Sequence, residues 1–301
     1  TLASDPSRRE FLATTALAGL SAPAVAALPG ASSPAAPPAD AASAASPELR
    51  PAGEISELFS TSDVYIPPRG RSFMKFSFDF PEPAVAFGEH RFSFLVFTDE
   101  NTYAMDRSLM KATGNGDALT RTADGLVWAG GQEKAPGKLT ERFVRRDGGI
   151  EWDVSAELAR PIKSVTTVIR DVPKGKISVG GGEFRDPGEG DVLAGYTFGA
   201  GDLHGGETPV SITTPVAVVQ TGENSFLSFS TFDDRVRPKR YYFQNGEKAF
   251  RVEAVYEHDG WRNDVRVSVP RFRLETKASF DEAMTAHMAR IERSFRIPTW
   301  E

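Results

Sequence analysis

Ile150-Glu151-Trp152-Asp153-Val154-Ser155-Ala156-Glu157 is the stretch whose reading decides the fold. Apolar and polar residues alternate through all of it, and residues two apart share a face only when the chain is extended. One face therefore enters a core and the other meets water. The same period recurs elsewhere. Met74, Phe76, Phe78 and Phe80 alternate with Phe73, Lys75, Ser77 and Asp79; Phe92, Phe94 and Val96 alternate with Ser93 and Leu95; Val252, Ala254 and Tyr256 alternate with Arg251 and Glu253. Further strands are expected at 165–169, 215–219, 226–232 and 265–274, the last with Pro270 at an edge or bulge because proline has no amide hydrogen to give a ladder.

Asp124-Gly125, Asp147-Gly148-Gly149, Asn245-Gly246 and Asp259-Gly260 punctuate these runs with residues that tolerate the positive φ of tight hairpin turns. Many short strands without intervening helical periods exclude a parallel α/β arrangement. The expected class is all-β: two large antiparallel sheets packed face to face as a β-sandwich. One helix is expected, at the end. Ser279 and Glu282 have capping-box spacing, Asp281 suits a helix start, and Met284, Met288, Ile291 and Phe295 form an apolar stripe.

Ahead of the strands the chain reads differently. Ser7-Arg8-Arg9-Glu10-Phe11-Leu12 sets paired arginines before a short apolar run, Phe11 to Leu20, and Ala24-Val25-Ala26 offers a small-residue cleavage site. That order is the pattern of a bacterial twin-arginine export signal over residues 1–27. The run is too short to anchor in a bilayer, which takes about 20 apolar residues. Residues 28–50 are rich in Ala, Ser and Pro and read as a flexible tether. The sandwich is then expected over 51–278, and 279–301 as a linker helix leading toward a further domain. Neither end reads as a natural terminus.

The 301 residues carry a net charge of −6 and contain no cysteine. Nucleic-acid binders need a positive excess against phosphate, so that partner is not expected. Disulfides and thiolate-bound metals are ruled out by composition, which suits a cargo folded in a reducing compartment before export. The expected location is periplasmic or extracellular, with the twin-arginine translocation machinery as a partner during export and a carbohydrate as ligand or substrate.

Thr214-Pro215-Val216-Ala217-Val218, Phe226 to Asp234, Arg251 to Glu257, Val269-Pro270-Arg271-Phe272-Arg273-Leu274 and the closing helix carry a resemblance. Over Pro51 to Glu301 the layout resembles the N-terminal galactose-mutarotase-like supersandwich of bacterial glycoside hydrolases whose catalytic barrel follows. The resemblance implies a non-catalytic role, scaffolding the barrel and lining its substrate cleft, with the catalytic carboxylates outside this chain. Two other roles stay open: a free-standing extracytoplasmic carbohydrate-binding protein, and a sandwich that is itself an epimerase or lyase.

No G-x-S-x-G elbow, H-E-x-x-H helix or phosphate loop is present. His204 and Glu207, in the glycine-rich stretch 199–207, could give and take a proton. Asp186, Glu189 and Asp191 could offer oxygen ligands to calcium, although they lack the spacing of a calcium loop and an ordinary acidic turn accounts for them. Trp128, Trp261 and Tyr241 are the aromatic candidates for stacking on a sugar ring, whereas Trp152 reads as core. No cofactor is expected, and with only His90, His204, His258 and His287 a histidine metal cluster is not expected either.

Overall fold

The computed structural model describes residues 47–55, 58–65, 71–79, 82–128, 134–179, 183–188, 192–195, 208–212, 214–233, 239–258 and 262–295. Arg8, Arg9 and nearly all of the tether lie outside these residues. In chain order the first strands are β1 (Leu49–Ile55), β2 (Leu58–Tyr65), β3 (Arg71–Asp79), β4 (Glu82–Phe87), β5 (His90–Phe97), β6 (Thr102–Met105) and β7 (Lys111–Asn115). There follow β8 (Ala118–Ala123), β9 (Leu126–Trp128), β10 (Lys134–Ala135), β11 (Gly137–Arg146), β12 (Gly149–Leu158), β13 (Ser164–Pro173) and β14 (Lys176–Ser178). The last are β15 (Val192–Gly195), β16 (Thr208–Ser211), β17 (Val216–Gly222), β18 (Ser225–Phe232), β19 (Lys239–Asn245), β20 (Ala249–Glu257), β21 (Arg266–Ser268) and β22 (Arg271–Lys277), before helix α1 (Phe280–Phe295).

These strands form an all-β sandwich. The larger sheet has 11 strands and runs β10-β9-β6-β5-β13-β20-β19-β15-β16, with β4 on β5 and β1 on β4. The smaller has nine, β14-β17-β18-β22-β12-β11-β8-β7, with β21 also on β12. Pairing is antiparallel except between β15 and β16. β2 and β3 pair separately as a ribbon, which confirms an extended conformation for Phe73 to Asp79.

The alternation of β12 does what its pattern requires. Ile150, Trp152, Val154, Ala156 and Leu158 all enter the core between the sheets. Trp152 joins the layers: its ring stacks on Phe272 at 5.7 Å in its own sheet and meets Phe92 of the larger sheet edge-on at 5.2 Å. Its Nε1–H donates to Thr167 Oγ1 on β13 at 2.9 Å, so the one polar atom of the indole is satisfied inside the core. Burial of each such aromatic contributes about 2–3 kcal/mol. The core also holds a charge pair. Arg121 and Glu141 sit directly opposite one another on β8 and β11, on the face that carries Leu139 and Phe143, with Arg121 Nε donating to Glu141 at 2.7 Å.

Several expectations are refined by the pairing. The run 265–274 divides at Val269-Pro270 into β21 and β22, both paired with β12; residues 269–271 face Asp153 and Val154, so one extra residue bulges there. Proline forces this because it cannot donate to β12. Asp147 and Gly148 take φ of 49° and 73° and close the β11–β12 hairpin between Arg146 and Gly149. Asn245-Gly246 also opens a hairpin, but with a longer connection and no positive φ. Asp124-Gly125 is not a hairpin turn: it carries the chain from β8 in one sheet to β9 in the other. Asp259-Gly260 lies outside the described residues.

Helix α1 starts where the capping box places it. Ser279 Oγ accepts from the Glu282 amide at 3.1 Å, and Glu282 reaches back to the Ala278 amide at 3.3 Å. The buried line of the helix differs from the expected stripe. Ala283 and His287 are its buried residues, while Met288 and Phe295 are 45% and 37% exposed. The reason lies in the outer face of the smaller sheet, where Val216, Val218 and Phe226 leave room for a small residue and so draw Ala283 in, flanked by Phe280 and Met284. No helix among the described residues is long and apolar enough to cross a membrane.

Candidate functional site

The strongest concentration of polar chemistry lies where β5, β13, β20 and β19 run side by side, on the face of the larger sheet opposite the core. Val252, Ala254 and Tyr256 of β20 point inward, so Arg251, Glu253 and Glu257 point the other way. That outer face is not solvated. Glu253, Tyr242, Arg240, Ser93, Thr166 and Arg170 are all buried on it. Arg251 Nη1 donates to Glu253 at 2.6 Å and to Gln244 at 2.7 Å, and Arg240 pairs with Glu257 at 2.8 Å. Arg170 Nη1 donates to Ser93 Oγ at 2.7 Å.

A β-bulge shapes one side of this face. Arg170 and Asp171 together oppose Arg251, and Asp171 has a φ of 61°, outside the extended region. Its carboxylate is thereby turned onto Arg91, which donates from Nε at 2.5 Å and from Nη2 at 3.1 Å, a two-point grip. The remaining oxygen of Glu253, Oε2, and the hydroxyl of Thr166 accept or donate no hydrogen bond among the described residues. A buried carboxylate oxygen without a donor costs free energy.

Strand alternation alone hides this site. Arg251 and Glu253 carry the pattern of an ordinary solvated strand face, and only the second layer of burial distinguishes them. Tyr241, an aromatic candidate for sugar stacking, proves to be a core residue: it is fully buried and its hydroxyl donates to the Pro215 carbonyl at 3.0 Å. The alternation of β19 places it inward with Phe243, which corrects the expectation. Trp128 is half-buried at the end of β9 and packs against both the main core and the cluster of Leu95, Phe97, Ala104 and Val168. His204, Glu207 and Trp261 lie outside the described residues, as do Glu189 and Asp191. Asp186 is exposed and accepts from the Gly188 amide at 3.0 Å, as a turn-forming aspartate does.

The three described histidines serve separate places. His90 Nδ1 lies 3.2 Å from the Asp171 carbonyl, and burial lowers its pKa against that bond. His258 Nε2 is 2.7 Å from Asp264 Oδ2, with the Tyr256 hydroxyl at 3.4 Å from Nδ1. His287 is on the buried side of α1, where desolvation and the Arg290 charge push its pKa down to about 4. Among the described residues no cluster of histidine and carboxylate ligands is placed to hold a metal.

No protein-family model and no curated protein sequence matches the chain. Among solved structures it is similar to the GH36 alpha-galactosidase AgaA from Geobacillus stearothermophilus, with 10% identity and a TM-score of 0.37. The alignment covers 80% of this chain and 31% of that one, so the chain spans less than a third of the length of that enzyme.

Proposed function

We propose that this chain is the sandwich domain of an exported carbohydrate-active enzyme of the glycoside hydrolase class, in which it scaffolds a following barrel and lines part of its cleft. The observation that carries the reading is the construction of α1. The helix is fixed to the smaller sheet through Ala283, His287 and Arg290, yet Met288 and Phe295 on its other side stay exposed, as suits a connector that meets a second body. Glycoside cleavage needs two carboxylates about 5–10 Å apart across an open cleft. The buried acids of the described residues are instead held by arginine or lysine, as Glu141, Glu151, Glu275 and Asp233 are.

The test is hydrolysis of aryl glycosides by the chain alone and by the product of its complete reading frame. Activity only in the longer product supports the proposal; turnover by the chain alone removes it. Export by the twin-arginine route belongs to the same proposal. Replacing Arg8 and Arg9 together by lysine should leave a fused reporter in the cytoplasm.

A second reading follows from Glu253. Its buried Oε2, which has no partner among the described residues, favours a sandwich that binds a sugar hydroxyl itself, as a binding protein or an epimerase would. Sugar binding by the chain alone, lost in Glu253→Gln with the fold intact, would select this reading over the scaffold.

A further inference from the structure

Helix α1 covers only the β17, β18 and β22 part of the smaller sheet's outer face. Beyond it, β12, β11, β8 and β7 present an open platform. Its centre line is the acidic row of β12, Glu151, Asp153 and Glu157, with arginines on both sides. Arg142 and Arg146 stand on β11, and Arg266 and Arg271 on the opposite side. The two arginine rows are about 10 Å apart, two strand spacings, and Arg142 and Arg146 about 13 Å apart along their strand.

These arginines differ from the buried one beside them. Arg273 donates at 2.9 Å to both Glu151 and Glu275 and at 2.8 Å to the Arg146 carbonyl, and is fully engaged. Arg142, Arg146 and Arg271 approach the acids only at 3.6–3.9 Å, and none of their guanidiniums donates a hydrogen bond among the described residues. They are 60%, 56% and 45% exposed. Between them runs a register of hydroxyls, Thr122, Thr140, Ser155 and Ser268, on four adjacent strands. No aromatic side chain of the described residues projects from this part of the face.

We propose that this platform binds an extended carboxylate-bearing polysaccharide, a uronate polymer. Forked guanidiniums with uncommitted donors suit carboxylates, and the hydroxyl register suits sugar hydroxyls. A protein partner would need a buried apolar anchor, which the platform does not offer. The net charge of −6 acts against any polyanion at longer range, nucleic acid and uronate alike, so the guanidinium contacts must supply the attraction. The proposal stands independently of the hydrolase reading.

Affinity electrophoresis of the full chain in gels containing polygalacturonate, dextran or double-stranded DNA tests it. Retardation by polygalacturonate, weakened by added salt and absent with dextran, is the expected result. The Arg142→Gln/Arg146→Gln pair should weaken it by roughly tenfold with an unchanged melting curve, since two charge-assisted contacts are lost. Arg271→Gln, at a site 45% exposed, serves if the pair unfolds the protein. No retardation by polygalacturonate, equal retardation by dextran, stronger retardation by DNA, or unaltered binding by folded variants would each overturn the proposal.

Discussion

His287 Nε2 lies 2.7 Å from the hydroxyl oxygen of Thr214 and ties the buried side of α1 to the segment that leads into β17. Its Nδ1 has no hydrogen-bond partner among the described residues. A charged ring is disfavoured there because burial strips its hydration and Arg290 lies close, with Glu275 opposing more weakly.

The first prediction is a pH dependence. In the unfolded chain His287 protonates near pH 6.5, whereas in the fold it stays neutral down to about pH 4. Between these values the unfolded state binds more protons, so stability is whole above the upper pH and declines as pH falls toward the lower. The loss amounts to about 3 kcal/mol at most. Urea unfolding at pH 7 and pH 4.5 measures it, and His287→Phe should flatten the difference.

Glu275 gives a second. Burial opposes its charge, but Arg273 and Arg290 more than offset that and hold the carboxyl below its ordinary range. Glu275→Gln leaves two guanidiniums short of an anion beneath α1 and should cost about 3 kcal/mol or more. Because the folded-state pKa is depressed, this contribution is present above the ordinary carboxyl pKa and fades as pH falls below it. Chemical denaturation of the variant at pH 7 and pH 3 separates the two effects.

Trp152 supports a third. Trp152→Phe removes the bond to Thr167, leaves that hydroxyl buried without its partner and opens a void beside Phe92. A loss of about 2–4 kcal/mol is expected from thermal unfolding.

Gly114 supports a fourth. Its φ is +150°, and a Cβ would stand 2.0 Å from the Ala118 carbonyl oxygen on the paired strand. Gly114→Ala should detach β7 from β8, which hydrogen exchange at Lys111 to Asn115 reports as lost protection.

Much of the fold is legible locally because strand alternation is a property of neighbouring residues. β5, β12 and β20 follow from period two, and the start of α1 follows from Ser279 and Glu282. The short strands β14, β15 and β16 carry too few residues for a period to emerge. The candidate site is much less legible. Arg251 and Glu253 have the alternation of a wet face, and Tyr241 has the composition of a binding aromatic until its strand is assigned a direction.

From the residues alone came the all-β class, the antiparallel pairing, an edge or bulge at Pro270 and the capped final helix, since each depends on backbone geometry within a few positions. Tertiary structure decided which polar residues stay wet. Glu253 and Arg273 are buried while Arg142 and Arg146 are open, although all four sit at polar positions of alternating strands. Burial depends on what packs over a strand from distant parts of the chain, and no local period encodes that.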